Sequence, residues 1–96
     1  MDFKETVTKI VNDEKLLNLL CNLDSRWNDE KEYEDWKEYS DLIKSNVEFI
    51  IFDIDYKFVK ATKRPFGLVI EIENVKVNFF LKKSRGYVNL AAKVVK

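Results

Sequence analysis

Two periodicities divide the chain. Apolar positions recur at helical spacing through residues 1–45 and at alternate positions from about Val47 onward. In DFKETVTKIV, Phe3, Val7, Ile10 and Val11 share one stripe. In KLLNLLCNL the stripe of Leu16, Leu20 and Leu23 is rotated well away from the first, and the segment is apolar nearly all round, as a buried helix is. Asn12 or Asp13 offers a cap between the two, which predicts a break there. Asp29 to Glu32 fits a capping box that opens a further helix over residues 29–45. At about 100° per residue, Tyr33, Trp36, Tyr39, Ser40 and Ile43 fall on one side of that helix. Glu30, Glu34, Glu38 and Asp41 fall on the other, with Asp35 and Leu42 at its edge. The aromatics are expected to pack inward, leaving an acidic ridge in solvent.

From Val47 the expected period is two, with Ile50, Phe52, Ile54, Tyr56 and Phe58 alternating with Asp53, Asp55 and Lys57. FGLVIEIENVKVNFFL reads as a hairpin turning at Glu73-Asn74. That register sets Ile72 opposite Val75, Ile70 opposite Val77 and Leu68 opposite Phe79, with Glu71 against Lys76 on the other face. A second hairpin turning at residues 83–86 is expected to pair Leu81 with Val88, Phe79 with Leu90 and Val77 with Ala92. The prediction is a single α+β domain over residues 1–96. Two or three N-terminal helices (1–45) pack on one face of a four-stranded antiparallel meander (47–96), giving two layers.

Charge changes this picture more than composition does. The chain has as many basic as acidic residues and a net charge of zero, yet residues 1–56 carry fifteen acids and seven bases, a net of minus eight. Residues 57–96 carry two acids and ten bases, a net of plus eight. The acidic half is densest at Trp27–Asp41, with seven carboxylates, two lysines and four aromatics. No basic n-region with an apolar run opens the chain and no apolar run is long enough for a membrane span. The single cysteine, Cys21, cannot form an internal disulfide, so a reducing, cytoplasmic setting is expected.

Much catalytic chemistry lacks its residues. There is no histidine, no glycine-rich phosphate loop and no nucleophile-elbow serine, and Cys21 sits among leucines, where a thiol is filler. The expectation is a protein that is not an enzyme and has no cofactor and no metal. The best catalytic alternative is a small Mg²⁺-dependent nuclease using Asp53, Asp55, Glu71 and Glu73 with Lys76, which the expected register brings together on the outer sheet face.

Two surfaces remain as candidates. The acidic ridge of Glu30, Glu34, Asp35, Glu38 and Asp41, with Leu42 as a desolvated contact, suits a partner protein with a basic groove, where it could stand in for nucleic-acid phosphates. Most of these acids are expected beyond the first helical turn, where the helix dipole gives no help. The second surface is the pair of basic hairpin tips. The first and third turns of a meander share an end, which brings together Lys60, Lys63 and Arg64 with Lys82, Lys83 and Arg85, beside Tyr87. Bases with aromatics suit a nucleic-acid backbone and its stacked bases. The leading expectation is a protein-binding inhibitor or regulator, with nucleic-acid binding second. In size and charge the chain resembles the small inhibitors of host enzymes made by phages and mobile elements, and immunity proteins that neutralise toxins. That resemblance rests on no motif.

Overall fold

The computed structural model describes residues 2–30 and 35–96. Among these residues, three helices, α1 (Phe3–Val11), α2 (Glu14–Glu30) and α3 (Trp36–Ile50), precede four strands, β1 (Lys57–Lys63), β2 (Phe66–Ile72), β3 (Val75–Ser84) and β4 (Tyr87–Val94). The strands form one antiparallel sheet in the order β1-β2-β3-β4, an α+β arrangement as expected.

Side-chain capping sets the helix limits. Asp2 accepts from the Glu5 amide at the start of α1. The predicted break uses both candidate residues: Asn12 caps the C-terminus of α1, and Asp13 Oδ1 accepts from the amides of Lys15 and Leu16 to start α2. The third helix begins later than expected. Asp29 and Glu30 still belong to α2, and Asp35 is the N-cap of α3, accepting from the Lys37 amide. Asp35-Trp36-Lys37-Glu38 has the same Asp-x-x-Glu pattern as Asp29 to Glu32, and the chain uses the second copy. The helix also ends later: Val47 to Ile50, expected to open a strand, is the last turn of α3. Tyr39, Ile43, Val47 and Ile51 form an unbroken buried stripe at helical spacing, and burying it decides the conformation.

The β2–β3 hairpin has the predicted register at every pair. Glu73 and Asn74 both take positive φ (50° and 67°), as a two-residue type I′ turn requires. The β3–β4 hairpin is displaced by two residues from the expected pairing. Leu81 lies opposite Leu90, Phe79 opposite Ala92 and Val77 opposite Val94, because the turn is the two residues Arg85-Gly86, with φ of 39° and 82°. A slip of two leaves every side chain on its predicted face. In β1 a bulge between Phe58 and Lys60 lets Phe58 and Ala61, three apart, both face Ile70 and Leu68 on the inner side.

The core lies between the layers. Ile10, Leu16, Leu20, Ile43 and Val47 from the helices meet Leu68, Ile70, Val77, Phe79 and Leu90 from the sheet. Outside the core, Lys9 of α1 donates to Asp53, between α3 and β1. That hydrogen bond holds the Asp53 carboxyl below its ordinary value, against a smaller opposing effect of burial. A carboxyl lowered on folding contributes stability that is present above its unfolded pKa. The contribution is lost as pH falls through the folded value, so the window lies on the acid side of the ordinary Asp range. In an NMR titration Lys9→Met is expected to move the Asp53 midpoint upward, and an unmoved midpoint would show that Lys9 is not the cause.

Candidate functional site

The predicted acidic ridge is only partly a ridge. Glu34 and the Glu30 side chain lie outside the described residues. Asp35 is a cap and Glu38 lies in the first turn, so both gain from the positive end of the helix dipole, contrary to expectation. Asp41 and Leu42 face outward as predicted, Leu42 being 37% exposed.

The outward face of α3 continues beyond the predicted site. At about 100° per residue, Glu38, Leu42, Ser45 and Phe49 fall within an arc of about 60°, opposite the buried stripe. Phe49 is 81% exposed, and Phe52, two residues past the helix end, is 80% exposed. Asp41 and Glu48 flank the stripe on one side, and both are exposed. Sequence reading missed both phenylalanines because it assigned them to a strand. Projecting the helix one turn further would have placed Phe49 seven residues from Leu42, on the same stripe.

Because neither ring is buried, removing them leaves the core intact. Phe49→Ser with Phe52→Ser is expected to change the unfolding free energy by no more than about 0.5 kcal/mol per site. Chemical denaturation checks this, and a larger loss would mean that the rings serve the fold.

The basic residues divide between two environments. The first and third turns do share an end, and there the inward-facing Lys63 and Lys83 line a cleft of about 640 Å³ under α2, together with Asp24, Trp27, Arg64 and Phe66. The Lys83 ammonium donates to Asp24 Oδ2 at 2.7 Å. The Lys63 ammonium sits 5.5 Å from the Trp27 ring centroid and 5.3 Å from that of Trp36. Trp27 meets Trp36 edge-on at 5.2 Å, and Trp36 meets Phe66 at 5.8 Å. These two lysines therefore tie the hairpin tips to the helices, and Asp24 places an acid among the bases at that end. Lys60, Lys82 and Tyr87 instead face away from the helices, as strand alternation from the inward Ala61, Leu81 and Leu90 requires. Arg64 and Arg85 sit in the turns and are exposed.

The proposed carboxylate cluster does not assemble as predicted. Residues 51–56 are not part of β1 and Asp53 is bonded to Lys9, while Asp55 shares a cleft with Glu71 and Glu73 beside Lys57. Glu71 lies between Lys57 and Lys76 on the neighbouring strands. Among the described residues no group of three or more Cys, Asp or Glu is placed to hold a metal ion. Burial pushes the Cys21 thiol up, Asp24 adds to the effect and Lys83 opposes it, which disfavours the thiolate.

Among the described residues no helix is long and apolar enough to cross a membrane. No family model matches the chain, and neither a curated protein nor a solved structure shows significant similarity to it.

Proposed function

We propose that the protein is a non-catalytic binding module, an inhibitor or regulator, that engages a partner protein through the outer face of α3. The observation that carries this reading is the exposure of Phe49 and Phe52, at 81% and 80%, with Leu42 exposed on the same stripe as Phe49. Covering a phenylalanine is worth about 1.5–3 kcal/mol. Phe49 and Leu42 on one helix stripe, with Phe52 just past the helix end, are apolar groups left in water that gain by docking.

The charges around this stripe define the partner. Glu38 lies on the stripe and Asp41 and Glu48 beside it, so the complementary surface is apolar in the middle and carries lysine or arginine at its rim. A bare phosphate-binding channel fits less well, because Leu42 and Phe49 interrupt the carboxylates where a nucleic-acid backbone would present continuous charge. The partner is therefore a protein groove with apolar walls and a basic rim.

A photo-crosslinking side chain at position 49, in the full chain and in the source cell, tests this directly. The expected product joins position 49 to a partner segment that combines apolar and basic residues, and the same probe at Lys82, which faces away from the helices, gives none. Crosslinks to a second copy of this chain, or equal products from both positions, would overturn the reading.

A further inference from the structure

The sheet has a second face, turned away from the helices. The inward register of Leu68, Ile70, Val77, Phe79, Leu81 and Leu90 fixes what lies on it. It carries Lys57, Lys60, Lys76, Lys82 and Lys93, with Glu71 as the one acid among the strand residues. Glu71 stands between Lys57 and Lys76. Lys60, Lys82 and Lys93 stand opposite the neutral residues Val69, Asn89 and Asn78.

Protection of sheet edges does not account for this set. Lysine blunts an edge strand, but Lys76 lies on β3 between bonded neighbours, opposite Glu71 on β2 and accepting through its carbonyl from the Val95 amide. Solubility alone would be served by either sign of charge. The layering also removes the obstacle that the acidic half presents to a polyanion. The acids of the three helices lie on the other side of the sheet, whereas Asp55 and the turn residue Glu73 gather with Lys57 and Glu71 at the end of the sheet away from Lys82 and Tyr87. The molecule measures 40 × 30 × 26 Å. Even its thinnest direction is about three times the Debye length of about 8 Å at physiological salt.

The same face presents aromatic rings with small neighbours. Phe80, half-buried on β3, pairs with Gly67 on one side and Ala91 on the other, so its ring is the tallest feature across three strands. Tyr87, opposite Ser84, is 70% exposed. Phe80 and Ser84 are four residues apart along β3, about 13 Å at strand rise. We infer that this face is a binding surface for single-stranded nucleic acid, with the lysines along the phosphates and Phe80 and Tyr87 under the bases. Recognition of this kind reads the backbone and the faces of the bases and has little sequence preference. It uses none of the α3 residues, so it stands or falls independently of the protein-binding reading.

The test is fluorescence anisotropy of the full-length protein with a labelled oligothymidylate and with an oligouridylate, across a salt series. Binding is expected to weaken with salt at a log–log slope of about −2 to −3, the value for three or four lysines on a single strand. The triple variant Lys60→Glu, Lys82→Glu, Lys93→Glu is expected to lose at least about tenfold in affinity, and Tyr87→Ala about tenfold through stacking. All four positions are exposed, and unchanged circular dichroism and melting confirm that the variants fold. No binding at low salt would overturn the proposal, as would binding of a duplex with equal affinity. Retention of affinity by the triple variant would overturn it too. So would an unaffected Tyr87→Ala whose oligonucleotide is displaced equally well by heparin, since that is adhesion of any polyanion.

Discussion

Gly67→Ala is expected to lower the unfolding free energy by more than about 3 kcal/mol, beyond the usual range for overpacking a closely packed site. A Cβ on Gly67 would lie 2.1 Å from the Phe79 carbonyl oxygen and 2.6 Å from the Phe80 Cα. Both are backbone atoms of an interior strand that pairs on both sides, so neither can swing aside. Relief requires β2 and β3 to separate where Leu68 and Phe79 face each other in the core. A chain of 96 residues has a total stability of roughly 5–14 kcal/mol, so the variant loses a large share of it. Gly86 provides the contrast. Its φ of 82° penalises alanine, but nothing lies within 4 Å of its Cβ position, so Gly86→Ala should cost only about 1–2 kcal/mol. Urea midpoints rank the two. If Gly67→Ala proves the milder change, the close approach of β3 to Gly67 is wrong.

The second large effect is expected at Phe79. Phe79→Ala should destabilise by about 3–5 kcal/mol, lowering the melting temperature by more than about 12 °C for a domain of this size. The ring is fully buried and belongs to the cluster that joins helices to sheet. Its cross-strand neighbours are Leu68 and Ala92. Ala92 is too small to fill the space left behind, and Leu68 is already buried, so the cavity persists. A loss below about 4 °C would show that the layers do not pack around this residue.

How much of this was legible in the sequence depended on whether one conformation could satisfy two demands at once. At Glu73-Asn74 turn chemistry and apolar matching agreed, and the register was correct at every pair. Near Asn12 and Asp13 the polar caps coincided with a rotation of the apolar stripe, and the break was correct. The failures came where two solutions satisfied the same local rule. Asp29 and Asp35 open equivalent capping patterns, and only packing of Trp36 and Tyr39 on the core selects the second. The run Val47 to Phe52 is apolar enough for either period, and it is helical because Val47 and Ile51 extend the buried stripe of Tyr39 and Ile43. For the last hairpin a slip of two preserves both faces, so apolar matching could not detect it. The candidate surfaces inherited these errors. Mistaking the end of α3 for a strand hid Phe49, and treating the hairpin tips as one basic cluster ignored the alternation that turns Lys63 and Lys83 inward and Lys60 and Lys82 outward.

The central claim is that Leu42, Phe49 and Phe52 are exposed in order to be covered by another protein. Its most direct measurement is an isothermal titration of the partner crosslinked at position 49, purified, against wild type and against Leu42→Ser with Phe49→Ser. A loss of about a hundredfold in affinity, equivalent to about 2.7 kcal/mol, with an unchanged melting temperature, is the result expected. Affinity within twofold of wild type for a folded double variant would contradict the claim and return α3 to the status of an ordinary solvated helix.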